Sequence, residues 1–167
     1  MKTTLSAILC TASSLHAADR IRNKLIDYPK FVQIAENTEP VREQRRVSEE
    51  KFMELAAQPG TVVLDARSAD KYAMRHVKGA VSLPFTDFTE SALAKAIPTK
   101  ATRVLIYCNN NFRGSPVSLA PKNAAASLNI STFIALTTYG YTNVYELGPL
   151  LDVAATKLQF EGSEVAK

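Results

Sequence analysis

Short apolar runs alternate with stretches of helical periodicity along most of this chain. The runs at Val62–Leu64 and Arg103–Tyr107 have the length of buried strands, whereas the apolar residues of 124–138 recur at the spacing of a helix. Strands that alternate with helices along a chain form a mostly parallel sheet. We therefore predict a three-layer α/β fold with helices on both faces of a mostly parallel central sheet. The second run, the most apolar of the chain, is its predicted central strand.

Local signals add further elements to this prediction. Ser48 is a good N-cap and is followed by two glutamates, so a helix is expected from there to about Gln58, with Met53 among its buried residues. The other predicted elements are a helix over residues 20–35 that Pro29 kinks or divides, a polar connector over 36–46, strands over 79–84 and 143–147, short helices from Ser68 and Ser91, and a final helix over 150–158.

The composition fits one ordinary globular domain. The chain has 167 residues, of which 46% are hydrophobic, and its formal net charge is +4. No stretch is apolar for the ~20 residues that a membrane-spanning helix needs, so we expect no membrane span. The basic residues are spread out apart from Arg42, Arg45 and Arg46, and a solvated face explains that cluster better than nucleic-acid binding.

The first 17 residues differ from the rest of the chain. Lys2 is followed by a moderately apolar run from Leu5 to Leu15 and then by the small residue Ala17, which is the pattern of a secretory signal peptide. We predict cleavage after Ala17 and a periplasmic or secreted protein, with a cytoplasmic protein as the alternative. The predicted mature chain has a helical extension and connector over 18–44, one domain over 45–158 and a flexible tail over 159–167.

The candidate chemistry lies where the most apolar strand ends, in the stretch Arg103–Ser115 (RVLIYCNNNFRGS). Ligands of parallel sheets bind at the carboxyl ends of the strands, where Cys108 is expected. The predicted cleavage removes Cys10, so Cys108 has no partner for an internal disulfide and is either buried and inert or reactive. A turn rich in asparagine can direct backbone N–H groups at the sulfur, and Arg113 can add a positive charge. A plain surface loop after a buried cysteine explains the stretch equally well.

A second stretch, Val62–Pro84, resembles the signature of the rhodanese family. In that family a strand ends in Asp-x-Arg, an acidic and an aromatic residue follow on a short helix, and His-(Ile/Val)-x-Gly-Ala leads to the next strand. Residues 140–149 (GYTNVYELGP) resemble the family's Gly-Tyr-x-Asn-Val strand, and Cys108 follows an apolar strand as the family's active cysteine does. The resemblance covers about residues 45–155. The matching residues of the signature are Asp65-Ala66-Arg67, Asp70 with Tyr72, and His76-Val77-Lys78-Gly79-Ala80.

The resemblance implies a sulfurtransferase that needs no metal and no organic cofactor. The thiolate of Cys108 would attack the outer sulfur of a donor such as thiosulfate, and cyanide, a thiol or a protein acceptor would discharge the resulting persulfide. Arg113 would be the second catalytic residue, because it can stabilise negative charge. The other implied site residues are the substrate-binding loop of Asn109, Asn110, Asn111, Phe112 and Gly114, and the structural support of Asp65, Arg67 and His76.

Two other functions stay open. The same fold can serve as a sulfur carrier or a partner-binding module without turnover. A phosphatase is less favoured, because relatives that act on phosphate or arsenate have five residues between cysteine and arginine, and this chain has four. The chain also departs from the family after the loop, where Pro116 and Pro121 do not fit one regular helix and indicate an insertion near 114–122.

Overall fold

A computed structural model describes residue 21 and residues 23–165 of the chain. The predicted signal peptide, residues 1–17, lies outside the described residues. The helices are α1 (Tyr28–Gln44), α2 (Glu49–Ala56), α3 (Ala69–Met74), α4 (Glu90–Ala96) and α5 (Leu128–Thr138). The strands are β1 (Arg46–Val47), β2 (Thr61–Asp65), β3 (His76–Val77), β4 (Val81–Ser82), β5 (Arg103–Tyr107), β6 (Phe112–Arg113), β7 (Val144–Leu147), β8 (Leu151–Asp152) and β9 (Phe160–Glu161). No helix in this part of the chain has both the length and the apolar character needed to cross a membrane.

Five parallel strands form the central sheet, in the order β1-β7-β5-β2-β4. The strand β5 lies in the middle, as the sequence predicts. It pairs with all five residues of β2, from Arg103 opposite Thr61 to Tyr107 opposite Asp65. The neighbouring strands β5, β2 and β4 therefore end at the same edge of the sheet, which is the edge where parallel sheets bind ligands.

Two apolar clusters pack on opposite faces of this sheet, because successive side chains of a strand point to opposite sides. Leu105 and Tyr107 of β5 belong to the cluster that includes α2, whereas Val104 and Ile106 belong to the cluster that includes α4 and α5. Helices therefore cover both faces, as predicted. The prediction for Met53 is wrong, since that side chain of α2 is 37% exposed.

Helix α1 differs from the prediction in both position and length. It begins at Tyr28, where the Asp27 side chain accepts a hydrogen bond from the first turn, and it continues through the segment predicted as a polar connector. Pro29 lies in the first turn, where the helix does not need the N–H that proline lacks, so it does not divide the helix. Pro40 lies inside the helix, where the N–H that it lacks costs one backbone hydrogen bond.

An ion pair between a partly buried arginine and a buried glutamate joins α1 to the sheet. The Nε and Nη2 atoms of Arg42 each lie 2.6 Å from a carboxylate oxygen of Glu146 in β7, and the Glu146 side chain is 4% exposed. We expect Arg42→Met to lower the free energy of unfolding by about 2 kcal/mol, because the Glu146 carboxylate would stay buried with only the more distant Arg46 as a partner. Urea denaturation followed by circular dichroism measures the change.

The matched control for this prediction is Glu43→Gln. The Glu43 carboxylate also approaches Arg42, at 3.5 Å, but it is mostly solvated, so its loss should change the free energy of unfolding by less than about 0.5 kcal/mol. Equal losses in the two variants would show that the buried pair does not hold α1 to the sheet.

Residues 150–158 form no helix, although the sequence predicts one there. The strand β8 pairs with β6, and the N–H groups of Ala155 and Thr156 both donate to the carbonyl of Asp152, which closes a single turn. The N–H groups of the next two residues, Lys157 and Leu158, donate to the side chain of Glu49. These side-chain and turn contacts occupy the N–H groups that a helix would use.

The tail predicted to be flexible from residue 159 is instead paired up to residue 164. The strand β9 pairs antiparallel with β3, and the N–H groups of Ser163 and Glu164 donate to the carbonyls of Ala73 and Met74. Gly162 has a φ of +126°, and a side chain there would overlap the Met74 carbonyl. The tail therefore closes against the end of α3.

Helix α5 begins later than the predicted residue 124. Residues Ala124–Ala126 form a 3-10 turn, which Asn123 caps by accepting a hydrogen bond from Ala125 N. Ser127 is then the N-cap of α5. This later start determines which residues lie next to Cys108.

Candidate active site

Cys108 directly follows the central strand and is 1% exposed. Its N–H donates to Oδ1 of Asn111 at 2.9 Å, and Asn111 N donates back to the Cys108 carbonyl at 3.2 Å. Residues Asn109–Asn111 form a 3-10 turn, in which Phe112 N donates to the Asn109 carbonyl. Phe112 N thus bonds within the turn, whereas Asn111 N also completes a capping box with the Cys108 side chain, so one of the backbone donors that the sequence suggested around the sulfur does face it.

A further group that contacts the sulfur is one that the sequence reasoning missed. Ser127 Oγ lies 3.5 Å from Cys108 Sγ. Ser127 is the N-cap of α5, yet its hydroxyl makes no hydrogen bond to the helix backbone, so it remains free to donate to the sulfur. The N-terminus of an 11-residue helix therefore lies beside the thiol, and the positive end of a helix dipole favours a negatively charged group there.

The last two residues of the loop, Phe112 and Arg113, do not lie at a substrate-binding surface around the sulfur, where the sequence placed them. Phe112 is 1% exposed and packs edge-on against Tyr107 and Phe160, so it belongs to the core rather than to a substrate-binding surface. The Arg113 side chain is 70% exposed, and its Nε lies 3.3 Å from Asp152 in β8. The short pairing of β6 with β8 holds both residues in extended conformation.

Gly114 follows this pair with a φ of +90°, a conformation that side chains rarely adopt. A Cβ on Gly114 would lie 3.0 Å from a methyl group of Val153. Gly114 therefore forms the turn after β6 and lies against the segment after β8.

Asn111 is the most highly bonded side chain of the loop. Its Oδ1 accepts from Cys108 N and from Nδ2 of Asn129, both at 2.9 Å, and its Nδ2 donates to the carbonyls of Leu147 and Pro149. This buried amide connects the turn to α5 and to the end of β7. Asn111 is thus a structural centre of the site, and Asn129 is a second partner that the sequence reasoning did not include.

A buried network lies under the neighbouring strand end. The guanidinium of Arg67 donates to both carboxylate oxygens of Asp65, and Tyr107 Oη donates to Asp65 Oδ2 at 2.5 Å. Arg67 Nη1 also donates to the carbonyl of Ser118 at 2.9 Å, and Tyr107 Oη accepts from Val77 N. These bonds connect the ends of β2 and β5 to β3 and to the loop that contains Ser118, which is a supporting role of the kind expected for Asp65 and Arg67.

Burial and charge determine the protonation of this network. Burial raises the pKa of Tyr107 well above its usual value, and the negative charge of Asp65 raises it further. Burial alone would lower the pKa of Arg67, but the hydrogen bonds and the charge of Asp65 outweigh it and raise the pKa. Tyr107 therefore stays a neutral donor and Arg67 stays a cation, so both keep their bonds to Asp65.

His76 makes structural contacts. Its ring stacks on Tyr72 with 3.7 Å between the ring centroids, and its Nδ1 lies 2.8 Å from the Tyr72 carbonyl. Its Nε2 lies 3.6 Å from a carboxylate oxygen of Glu161 in β9. These contacts connect β3 to α3 and to the tail.

An open groove of about 740 Å³ lies at the carboxyl edge of the sheet, and neither Cys108 nor Ser127 is among its lining residues. Asn109 and Leu128, which adjoin Cys108 and Ser127 in the chain, both line it. Residues 115–122, which we call the connecting segment, form one wall through Ala120, Pro121 and Lys122. The remaining lining residues are Ala66, Arg67, Ser68, Ala69, Asp70, Lys71, Pro84, Phe85, Thr86 and Asp87.

The connecting segment is fixed to the loop by two asparagines. Asn109 Nδ2 donates to the Ala120 carbonyl at 2.7 Å, and the Asn110 side chain both donates to the carbonyl and accepts from the N–H of Lys122. Leu119, which is 1% exposed, packs into the core cluster on the α2 face. Asn109 and Asn110 thus position a groove wall, a role that the sequence did not distinguish from substrate binding.

Known proteins resemble this chain in sequence and in fold. A model of the rhodanese-like domain family matches residues 48–148. The thiosulfate sulfurtransferase PspE of Escherichia coli (strain K12) is 30% identical over 96 residues, which cover 58% of this chain and 77% of that protein.

Two solved structures have a similar fold. The BH2092 protein from Bacillus halodurans has a TM-score of 0.51 at 17% identity, and the match covers 80% of this chain and 88% of that one. A thiosulfate sulfurtransferase from Pseudomonas aeruginosa has a TM-score of 0.52 at 23% identity, and the match covers 79% of this chain and 23% of that one.

Proposed function

Because the chain belongs to the rhodanese-like domain family, we propose that it is a sulfurtransferase with Cys108 as its nucleophile. The observation that supports this most directly is the contact between the Cys108 sulfur and Ser127, at the point where α5 begins. A helix N-terminus and a hydroxyl donor both favour an anionic sulfur. Both the attacking thiolate and the persulfide that it forms are anions, so the same groups serve both states.

The proposed reaction has two steps. The Cys108 thiolate attacks the outer sulfur of thiosulfate, a bond forms between the two sulfurs, and sulfite leaves with the electron pair of the broken S–S bond. Cyanide or a thiolate then attacks the outer sulfur of the persulfide, and the electron pair of that S–S bond returns to Cys108. The protein ends in its starting state.

Arg113 enters this proposal as a surface cation. Its exposed guanidinium attracts an anionic donor at long range, and Asp152 compensates part of its charge. Among the described contacts, Arg113 pairs with Asp152, whereas the side-chain hydrogen-bond partner of the Cys108 sulfur is Ser127. We therefore assign the stabilisation of the sulfur mainly to Ser127 and α5.

A second function, that of a sulfur carrier or partner-binding module without turnover, is favoured by the burial of Cys108. Because Cys108 is only 1% exposed, a donor reaches its sulfur only after neighbouring residues move. A carrier that protein partners load and discharge can function when the sulfur is rarely exposed, because the partners can displace the covering residues. A fast enzyme for small molecules needs those residues to move away from the sulfur frequently.

Two measurements on the purified protein test these functions. Intact and peptide mass spectrometry after incubation with thiosulfate should show one added sulfur on the peptide that contains Cys108. Release of thiocyanate on addition of cyanide, repeated over many cycles, supports the enzyme. Loading without repeated turnover supports the carrier. No loading of Cys108 by any sulfane-sulfur donor contradicts both the enzyme and the carrier and supports the partner-binding module.

We expect Ser127→Ala to lower kcat/KM for thiosulfate by about tenfold, because the anionic sulfur loses one charge-assisted hydrogen bond. Steady-state thiocyanate assays measure this change. Ser127→Thr keeps the hydroxyl and should keep most of the activity. Ser91→Ala, which removes an exposed hydroxyl from α4, is the matched control and should leave kcat/KM unchanged. A Ser127→Ala enzyme as active as the Ser91→Ala enzyme would exclude this role.

The location proposed for the protein follows from its first 17 residues, whose pattern is that of a secretory signal peptide. We propose export with cleavage after Ala17. The mass of the protein purified from its own cells tests this, since it reports directly whether those residues are removed.

A further inference from the structure

The start of α1 and the turn before it expose most of their apolar side chains. Within the described residues, ten large hydrophobic side chains are exposed, and five of them lie between residues 21 and 31. Single exposed apolar side chains are normal on a protein surface, but such a concentration marks an interaction site. These five side chains, each more than half exposed, form what we call the N-terminal patch: Ile21, Leu25, Ile26, Tyr28 and Phe31.

The backbone that carries the N-terminal patch is held by local hydrogen bonds. Asn23 closes the turn before α1, because its side chain accepts from Leu25 N at 2.9 Å and its carbonyl accepts from Ile26 N at 3.2 Å. In the first turn of α1, the rings of Tyr28 and Phe31 stack with 6.5 Å between their centroids. The N-terminal patch is therefore a preformed surface, and a partner that covers it has little chain to order.

The domain itself does not cover the N-terminal patch. Helix α1 is attached to the sheet farther along, where Thr38 is buried and Arg42 bonds to Glu146. All described residues from 21 to 31 are classed as exposed. The apolar area of the N-terminal patch is therefore open to a partner outside the described part of the chain.

Basic residues alternate with the apolar residues of the N-terminal patch. Residues 20–30 (RIRNKLIDYPK) contain four basic residues, Arg20, Arg22, Lys24 and Lys30, and the single acid Asp27. Within the described part of the chain, neither lysine forms an ion pair, and the Asp27 side chain accepts from the backbone of α1. The partner that fits this surface is therefore both apolar and negatively charged.

The surface of an anionic lipid bilayer combines these two properties. Its headgroups attract lysine and arginine, and the acyl chains just below them bury apolar side chains. Tyrosine is enriched at this depth, because its ring is apolar and its hydroxyl stays hydrated. A second copy of this chain fits less well, because two positively charged segments would face each other.

We propose that the N-terminal patch binds the surface of membranes that contain anionic lipids. The start of α1 would lie in the plane of the headgroups, with its apolar side chains among the upper parts of the acyl chains, and would not span the membrane. The proposal is independent of the reaction at Cys108, because no residue of the N-terminal patch belongs to the candidate active site.

Sedimentation with lipid vesicles tests the proposal. The purified protein is mixed with vesicles of equal parts phosphatidylglycerol and phosphatidylcholine, or with vesicles of phosphatidylcholine alone. We expect at least about tenfold stronger binding to the anionic vesicles, and weaker binding as the salt concentration rises. Equal binding to the two kinds of vesicle, or binding to neither, would overturn the proposal.

Apolar variants locate the binding. Tyr28→Ser combined with Phe31→Ser should lower the affinity for anionic vesicles by at least about tenfold, because less apolar area enters the bilayer. Leu150→Ser removes an exposed apolar side chain elsewhere and should leave the affinity unchanged. The first 17 residues are the same in all these chains, so binding that survives the double substitution would belong to another part of the protein and overturn the assignment.

Charge variants test the electrostatic part of the proposal. Lys24→Gln should lower the affinity for anionic vesicles by about fivefold, since each basic residue near an anionic surface contributes about that factor. Lys95→Gln makes the same change of net charge in α4 and should have no effect. An equal loss in the two variants would show that only the net charge of the protein matters, and would reject the N-terminal patch.

A fluorescent label reports contact with the bilayer directly. The chain has no tryptophan, so Tyr28→Trp introduces a single fluorophore into the N-terminal patch. Its emission should shift to shorter wavelength on anionic vesicles, whereas that of Leu150→Trp should not. The absence of a shift in Tyr28→Trp, or the same shift in both variants, would contradict the proposal.

Sedimentation velocity without vesicles tests the other possible occupant, a second copy of the chain. We expect a monomer, and a monomer supports the proposal because the N-terminal patch then remains open. A dimer that Tyr28→Ser with Phe31→Ser dissociates would overturn the proposal and assign the N-terminal patch to self-association.

Discussion

Replacing Cys108 by serine is expected to abolish both sulfur loading from thiosulfate and thiocyanate release. Serine places a hydroxyl where the thiol lies, and a hydroxyl neither ionises near neutral pH nor forms a stable persulfide. The loss should be at least about a thousandfold, as is typical when a covalent nucleophile is removed. Mass spectrometry of the loaded protein and the cyanide assay measure the two steps separately.

The chain supplies a matched control for this substitution. Its only other cysteine is Cys10, so Cys10→Ser in the chain as encoded should leave loading and turnover unchanged. Retained turnover in the Cys108→Ser protein would place the chemistry elsewhere. The bond from the Cys108 N–H to Asn111 does not involve the thiol, and a serine hydroxyl can replace the thiol in the capping box with Asn111 N, so the serine variant should fold normally.

The second large effect is expected at Arg67. Its side chain is 2% exposed, and it donates to both oxygens of Asp65 and to the carbonyls of Ser118 and Arg75. We expect Arg67→Met to lower the free energy of unfolding by about 3–5 kcal/mol, because a carboxylate would remain buried without its cation. Urea denaturation followed by circular dichroism measures the loss.

Two comparisons show whether the unpaired charge causes this loss. Asp65→Asn combined with Arg67→Met removes the charge and should recover part of the stability. Arg113→Met removes an arginine whose ion pair with Asp152 is exposed, and should cost less than about 1 kcal/mol. If Arg67→Met were as mild as Arg113→Met, the network under β2 would not be the main support of the site.

The central part of the fold was predictable because its signal is local. The apolar residues of β2 and β5 occur in continuous runs, and a strand buried on both faces needs such a run. The N-cap of α2 was predictable for the same reason, since Ser48 accepts a hydrogen bond from a residue only three positions away. The strands β1 and β9 are two residues long and have no pattern of their own, so only their pairing with β7 and β3 defines them.

The site was predictable in part. The position of Cys108 follows from the strand that precedes it, but its partner Ser127 is 19 residues away in the chain. Ser127 could have been recognised as an N-cap, because it directly precedes the apolar residues of α5. The alanines at 124–126 hid this signal, because alanine favours helix and made the helix seem to begin at residue 124. The true course of the loop depends on the pairing of Phe112 with Leu151, which no pattern near Cys108 indicates.

The two outer strands of the sheet, β1 and β4, have a consequence for the behaviour of the protein in concentrated solution. Each is only two residues long, so each offers few free main-chain donors and acceptors to a second molecule. Long exposed borders of a sheet are templates on which other chains add strands and aggregate. Because the most apolar strand lies at the centre of the sheet and two-residue strands lie at its edges, we expect this protein to have little tendency to form fibrils by strand addition.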